Sequence, residues 1–279
     1  MNPKGRLVVI GTPIGNLGDI TDRARDTLGA VDLIACEDTR RTGRLLQLLG
    51  LDKKPLLVVN EHTEHQAASE VVRRISEGAS VALVSDAGMP GISDPGQRTI
   101  RTVLDADQAV EILPGPTALI TALVASGLAT GRFVFEGFLA RKGRERSEQL
   151  DQIAVERRTV VFYESPKRVA ATLQDLARVC GEDREVAVAR ELTKLHEEVV
   201  RGTLSEVIGV LGDASPRGEF VVVLAGAGDT AVTWTDDDLR TRLDRHRADG
   251  ASTRDAVLAV VEESGVEKRR VYALATRGP

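Results

Sequence analysis

The sequence predicts an α/β protein with open sheets flanked by helices and a small helical extension at its C-terminal end. Three observations lead there. Short aliphatic runs alternate with helix-like stretches through the first half of the chain, the rhythm of strand–helix units laid on a parallel sheet. Of 279 residues, 42% are apolar but only 3% aromatic, so the cores must be filled by Val, Leu, Ile and Ala, as in strands buried on both faces. Beyond residue 226 the aliphatic runs stop and short, highly charged helical stretches replace them.

The elements follow in order. Residues 7–10 read as a strand that runs into a glycine-rich loop, Gly11-Thr-Pro-Ile-Gly-Asn-Leu-Gly18. A helix comes next, with Thr21 as its N-cap and Ala24 and Leu28 on one face. A strand at 31–36, a helix at 39–49 closed by Gly50, a strand at 56–59 and a helix at 67–77 closed by Gly78 continue the pattern. A strand at 81–84 opens into the irregular segment Ser85-Asp-Ala-Gly-Met-Pro-Gly-Ile-Ser-Asp-Pro-Gly96, and a further helix and the strand 109–113 lead to Pro114-Gly-Pro-Thr117. The second half changes style, with strands at 133–139, 159–163, 184–189, 199–202 and 219–225. Several of these suit antiparallel pairing, so a mixed sheet is expected. Helices are expected at 146–156 and 205–211, and another opens at Pro166 with Ser165 as its cap. After a Gly/Ala/Asp linker, helices at 236–247, 253–264 and 267–276 form the extension. The resulting division is 1–118, 119–227 and 234–279, in keeping with about 100–200 residues per domain.

Composition excludes several classes. A net charge of −5 argues against a general nucleic-acid coat protein, while leaving room for local basic patches. Cys36 and Cys180 are isolated, which disfavours a disulfide framework and a structural zinc site. The N-terminal residues show no signal-peptide pattern, and no apolar run approaches the ~20 residues of a membrane span. A cytoplasmic protein without membrane association is therefore expected. Glu61-His62-Thr-Glu-His65 lacks the His-Glu-x-x-His order, so no metal site is expected.

The chemistry concentrates in the loops that follow strands, where open α/β sheets bind ligands. Glycines at 11, 15 and 18 do not have dinucleotide-fold spacing, and the loop lacks a P-loop lysine. Three glycines, two prolines and two aspartates in residues 85–96 suit a nucleoside held by main-chain groups, although Asp86 and Asp94 also fit turn or cap roles. Thr117 is placed to cap a helix whose free N–H groups favour a carboxylate.

The series Gly11-Thr-Pro-Ile-Gly-Asn-Leu-Gly-Asp-Ile-Thr21, Cys36-Glu-Asp-Thr-Arg40, Asn60-Glu-His62, the 85–96 segment, Leu113-Pro-Gly-Pro-Thr117, Phe162-Tyr-Glu-Ser165 and Ala189-Arg-Glu-Leu-Thr-Lys194 occurs in order. It resembles the bacterial 16S rRNA cytidine 2′-O-methyltransferases of the tetrapyrrole-methylase superfamily, over residues 6–226. The extension from about 234 resembles that family's C-terminal helices. Met89 departs from the threonine expected there. The resemblance implies a two-domain tetrapyrrole-methylase-like fold with S-adenosylmethionine in a cleft between the domains, a homodimer, and a target cytidine in the decoding region of 16S rRNA within the 30S subunit. It also implies cofactor contacts at Pro13, at Ser85, Asp86, Ala87, Gly88, Met89, Pro90 and Gly91, and at Pro114, Gly115, Pro116 and Thr117. Tyr163, Leu192 and Gly218 are expected to close over the adenosine.

Methyl transfer to a ribose hydroxyl needs in-line alignment and a base or cation at the oxygen. Asp38, Glu61, Glu164, Arg190 and Lys194 are the catalytic candidates, with Glu37 and Glu191 beside them at strand ends. Arg40 and Arg168 are candidate phosphate binders. The basic run containing Arg141, Lys142 and Arg144 is a candidate RNA contact or else a solvated helix start. Two alternatives remain open at this point: a small-molecule (tetrapyrrole) methyltransferase of the same fold, and a non-catalytic nucleotide-binding module.

Overall fold

The computed structural model describes residues 5–60, 62–212, 218–228, 236–248, 250–264 and 266–276. Two compact units result, Met1–Gly226 and Ala227–Pro279, and the first holds two five-stranded sheets.

The first sheet is parallel throughout. Its strands are β1 (Arg6–Ile10), β2 (Leu33–Cys36), β3 (Leu56–Val58), β4 (Ser80–Val84) and β5 (Ala109–Leu113), in the spatial order β3-β2-β4-β1-β5. Alternate side chains enter opposite cores, as strand geometry requires. Val8 and Ile10 join the cluster covered by α1 (Asp22–Ala30) and α2 (Thr39–Leu48), while Leu7 and Val9 join the one covered by α3 (Glu64–Ser76) and α4 (Gln97–Asp105). Because β4, β1 and β5 are neighbours, the segments that follow them emerge side by side at one edge of the sheet.

The second sheet is mixed, in the order β6-β7-β10-β8-β9. β6 (Phe133–Phe138) runs parallel to β7 (Thr159–Glu164); β10 (Phe220–Leu224) is antiparallel to both β7 and β8 (Glu185–Arg190), and β9 (Glu198–Thr203) is antiparallel to β8. Val160, Phe162 and Val222 face a core closed by α6 (Gly143–Val155), α7 (Val169–Cys180) and α8 (Leu204–Leu211). Val161, Val221 and Val223 face α5 (Ala118–Ser126) on the other side. Ile14, from the loop after β1, packs into this second core together with Leu192.

Several element boundaries differ from the sequence expectation for physical reasons. The strand expected from residue 31 starts at Leu33, because the Val31 N–H still bonds Thr27 O and the Asp32 carboxylate accepts the Ser80 N–H. α3 begins three residues early, and its Glu64 carboxylate accepts the N–H groups of Gly96 and Thr99 at 3.0 and 3.1 Å. That contact caps α4 from a distance, since Gly96 has no side chain to do so. Ser165 does not cap α7: a turn intervenes, with the Arg168 and Val169 N–H groups both bonding Ser165 O, and the helix starts at Val169. α6 begins at Gly143, so Arg144 and Arg146 are already helical.

In the second unit, α9 (Asp236–Ala248), α10 (Thr253–Ser264) and α11 (Lys268–Thr276) close on a core of Leu239, Leu243, Ala256, Val257, Val260 and Val271. No helix among the described residues is long and apolar enough to cross a membrane.

Candidate functional site

The three loops of the first sheet are stitched together by backbone. Thr12 and Gly88 exchange N–H···O bonds of 2.9 and 3.1 Å, and the Gly11 N–H bonds Leu113 O at 3.2 Å. A Cβ on Gly115 would meet Gly11 Cα at 2.8 Å, so the chains pass at a distance only glycine permits. β2 joins through Asp86, whose carboxylate accepts the Asp38 N–H at 3.1 Å and faces Arg41 at 3.4 Å.

The second sheet meets these loops from the opposite side. The Asn16 N–H donates to Thr193 Oγ1 at 3.1 Å, which joins the first loop to the turn after β8. That turn holds two non-glycine residues at positive φ, Glu191 at 51° and Thr193 at 65°, while Ser93 in the 85–96 segment sits at 59°. Such backbone outliers cost energy and concentrate where surrounding structure enforces a working geometry. A bulge in β6 brings Phe138 opposite Tyr163, with ring centroids 5.5 Å apart, and places Gly137 against the Ser93 hydroxyl.

Between the two sets of loops lies a cavity of about 320 Å³, lined by Ile14, Ala87, Gly88, Met89, Ile92, Ser93, Asp94, Thr117, Ala118, Phe138, Tyr163, Glu164, Ser165, Pro166, Leu192, Gly218, Glu219, Phe220 and Val221. Predominantly apolar walls with a few convergent polar groups are typical of small-molecule sites. A groove of about 660 Å³ adjoins it and shares Ile14, Ala87 and Glu219.

The cavity is electrically negative. Burial first, then the fields of Glu37, Asp86 and Glu219, push the Asp94 carboxyl up to about 6, against a lowering hydrogen bond from Ser85. Burial also raises Asp86 and Glu37 and pushes up the Tyr163 phenol. At the rim, burial works against the Lys194 ammonium, but hydrogen bonds to Glu191 at 2.9 Å and Glu219 at 3.2 Å outweigh it and raise its pKa.

The sequence candidates divide among several places. Ala87, Gly88, Met89, Thr117, Tyr163, Glu164, Leu192 and Gly218 line the cavity, whereas Pro13, Asp38, Arg40, Asp86 and Lys194 line the groove, as does Ala87. Ser85 and Pro90 are buried in the loop that shapes the cavity wall, and Gly91 closes the same turn. Gly115, directly after Pro114, lies against Gly11, and Pro116 O sits behind Gly88. Thr117 precedes α5 without a side-chain cap bond, contrary to its expected role; its hydroxyl turns to Gly115 O.

Among the catalytic candidates, Asp38 accepts the Arg40 N–H and pairs with its guanidinium, which hold the carboxyl at about 2 and make it a weak proton acceptor. Glu164 is buried and occupied by the Thr172 hydroxyl, the Ser165 N–H and Arg168. Arg190 pairs with Glu198 at 2.9 Å. Arg168 also donates to Leu139 O and Ala140 O, which fixes the start of the basic run in place. Arg141 and Lys142 are exposed, and Arg144 pairs with Glu148 on the surface of α6. Glu61 lies outside the described residues. Among the described residues no group of three or more His, Cys, Asp or Glu side chains could hold a metal ion.

Ile92, Ser93, Asp94, Phe138, Pro166 and Glu219 line the cavity without having been expected there as site residues. Asp94 had a visible signal, its place in the irregular 85–96 segment. Phe138 and Glu219 arrive through the bulge in β6 and the sheet order, for which no local pattern exists.

The family model for Tetrapyrrole (Corrin/Porphyrin) Methylases matches residues 6–208. The chain is 46% identical to a Ribosomal RNA small subunit methyltransferase I of Synechocystis, over 97% of each chain. It is 43% identical to the protein of the same name from Escherichia coli O157:H7, over 98% of this chain and 96% of that one. Among solved structures it is similar to the uroporphyrin-III C-methyl transferase from Thermus thermophilus complexed with S-adenyl homocysteine, with a TM-score of 0.55 and 19% identity, covering 78% of this chain and 97% of that one.

Proposed function

The chain belongs to the tetrapyrrole methylase family, and on that premise we propose that it uses S-adenosylmethionine to methylate the 2′-hydroxyl of a cytidine ribose in the decoding region of 16S rRNA. The rRNA substrate is supported by the names of full-length relatives at 40–46% identity. The position and the nucleotide are supported by the ordered motifs from Gly11 to Lys194.

One observation carries the cofactor assignment. The cavity is lined by the Asp94 and Glu219 carboxylates and, among the described residues, by no Lys or Arg side chain, and burial with acidic neighbours pushes Asp94 up to about 6. A ligand with a sulfonium and an ammonium group supplies the missing positive charge, which a neutral or anionic ligand would not. Tyr163, Leu192 and Met89 offer apolar surface for an adenine, and the uncapped start of α5 at Thr117 and Ala118 offers backbone N–H groups for a carboxylate. When bound, the cofactor supplies a methyl group on a good leaving group. The protein's own part is to hold the ribose in line and to stabilise charge on its oxygen. Lys194, kept protonated by Glu191 and Glu219 where groove meets cavity, is the cation placed for that work.

The test is transfer of labelled methyl from S-adenosylmethionine to 30S subunits purified from a strain that lacks the modification. Label is expected on a 2′-O-methylcytidine after nuclease digestion. Label on a tetrapyrrole and none on 30S subunits would overturn the reading in favour of a small-molecule methyltransferase.

A further inference from the structure

The groove beside the cavity has one wall made by a single helix. α2 carries three arginines and no acidic residue, in a chain whose net charge is −5. Thr42 and Leu46 anchor its buried side. Positions 40, 44 and 48 succeed one another at i, i+4, with 41 alongside, so these four project from the opposite, outward face, while Leu45 stands at its edge, half-buried against the core. Arg40, Arg41, Arg44, Leu45 and Leu48 do all line the groove.

The arginines are not equally committed. Arg41 faces Asp86 at 3.4 Å, and Arg40 pairs with Asp38 at 2.9 Å while its side chain remains 90% exposed. An ion pair that exposed stabilises little and is readily exchanged for another anion. Arg44 donates to the neutral Gln47 amide oxygen at 2.8 Å and has no carboxylate within ion-pair distance among the described residues. Leu48, on the same face, is half exposed. Cations that alternate with apolar surface match a nucleic-acid strand, with phosphates on the guanidinium groups and a ribose or base against the leucines.

Resting on the rRNA methyltransferase reading, we propose that this face of α2 is the track for a single-stranded RNA segment carrying the target nucleotide, with Arg40 and Arg44 holding its phosphates. The strand is single because a ribose hydroxyl must pass from the groove into the adjoining cavity, which a paired and stacked nucleotide cannot do. The groove leads to the cavity at Ala87 and Glu219, beside Lys194.

The experiment compares wild type with the double variant Arg40→Ala/Arg44→Ala, using fluorescence anisotropy of labelled oligocytidylate over a salt series. The Kd is expected to rise roughly tenfold, and the slope of log Kd against log salt to flatten by about 0.7 for each phosphate contact removed. Affinity for S-adenosylmethionine, read by calorimetry on the same preparation, should be unchanged, which shows that the variant is folded. Arg101→Ala, which removes a surface ion pair on α4, should leave Kd and slope at wild-type values. Equal Kd and slope for wild type and double variant would overturn the track, as would failure of the wild type to bind oligocytidylate. Methyl transfer to 30S subunits by the wild type is measured separately, so loss of the track and loss of the rRNA reading are told apart.

Discussion

The two sheets contribute to the cavity in different currencies. The parallel sheet offers mostly backbone: Gly11, Gly88 and Gly115 bring three chains within touching distance, and the Thr12–Gly88 bonds lock two of them. The mixed sheet offers mostly side chains: Tyr163, Leu192, Lys194 and Glu219 stand on or beside strands whose antiparallel ladder fixes their register. A backbone cradle tolerates no added bulk, whereas a side-chain wall can lose one member and keep its shape. Damage to the first sheet's loops should therefore abolish the site, and changes on the second should alter its chemistry while leaving it standing.

The largest expected effect is that of Gly115→Val. Its Cβ would lie 2.8 Å from Gly11 Cα, a backbone clash that no rotamer relieves. Overpacking of this kind costs about 1–3 kcal/mol. Thermal unfolding should show a lowered Tm, and cofactor binding by calorimetry should disappear; retained binding would break the contrast between cradle and wall.

Next comes Lys194→Met, which keeps the stem and removes the ammonium. Loss of one group that stabilises a developing oxyanion costs on the order of a hundredfold in kcat. Single-turnover methyl transfer should show that fall while the Kd for S-adenosylmethionine changes little. An equal loss of cofactor affinity would make Lys194 part of the cradle.

Smaller again, and of opposite sign in stability and binding, is Asp94→Asn. Asp94 has a folded-state pKa of about 6, above its ordinary value of 3.8. The folded protein thus binds more protons than the unfolded chain between those values, and stability falls as pH rises through that window. The cost of the charge is fully present above about pH 6, where the substitution should raise the Tm of the ligand-free protein. In the same range it should weaken binding of the cationic cofactor by roughly tenfold, the scale of one charge-assisted contact. In wild type, affinity should rise with pH through about 6. A pH-independent affinity would remove Asp94 from the site.

The parallel sheet was the more legible half. Its strands are continuous aliphatic runs such as Leu7-Val-Val-Ile10, and its loops carry glycines and prolines in concentrations that no helix or strand would keep. Errors there were short-range contests, as at Glu64, where a carboxylate reaching across to Gly96 and Thr99 draws the helix start forward. The mixed sheet's strands were visible, but not their order. Neither the presence of Glu219 in the cavity that Gly88 lines nor the Phe138–Tyr163 pair follows from any local period, because they depend on β10 lying between β7 and β8 and on a bulge in β6. Glu164 and Arg168 illustrate the same limit from the other side. Next to a strand end they read as catalytic or phosphate-binding, and in three dimensions they satisfy Thr172, Ser165 and the carbonyls at 139 and 140.

A crystal soaked with S-adenosylhomocysteine tests the central claim directly. Difference density is expected between Gly88 and Met89 on one side and Tyr163 and Leu192 on the other, with the ligand's ammonium directed at the Asp94 carboxylate. Density at any other place on the chain, or none in that cavity at saturating ligand, would contradict it.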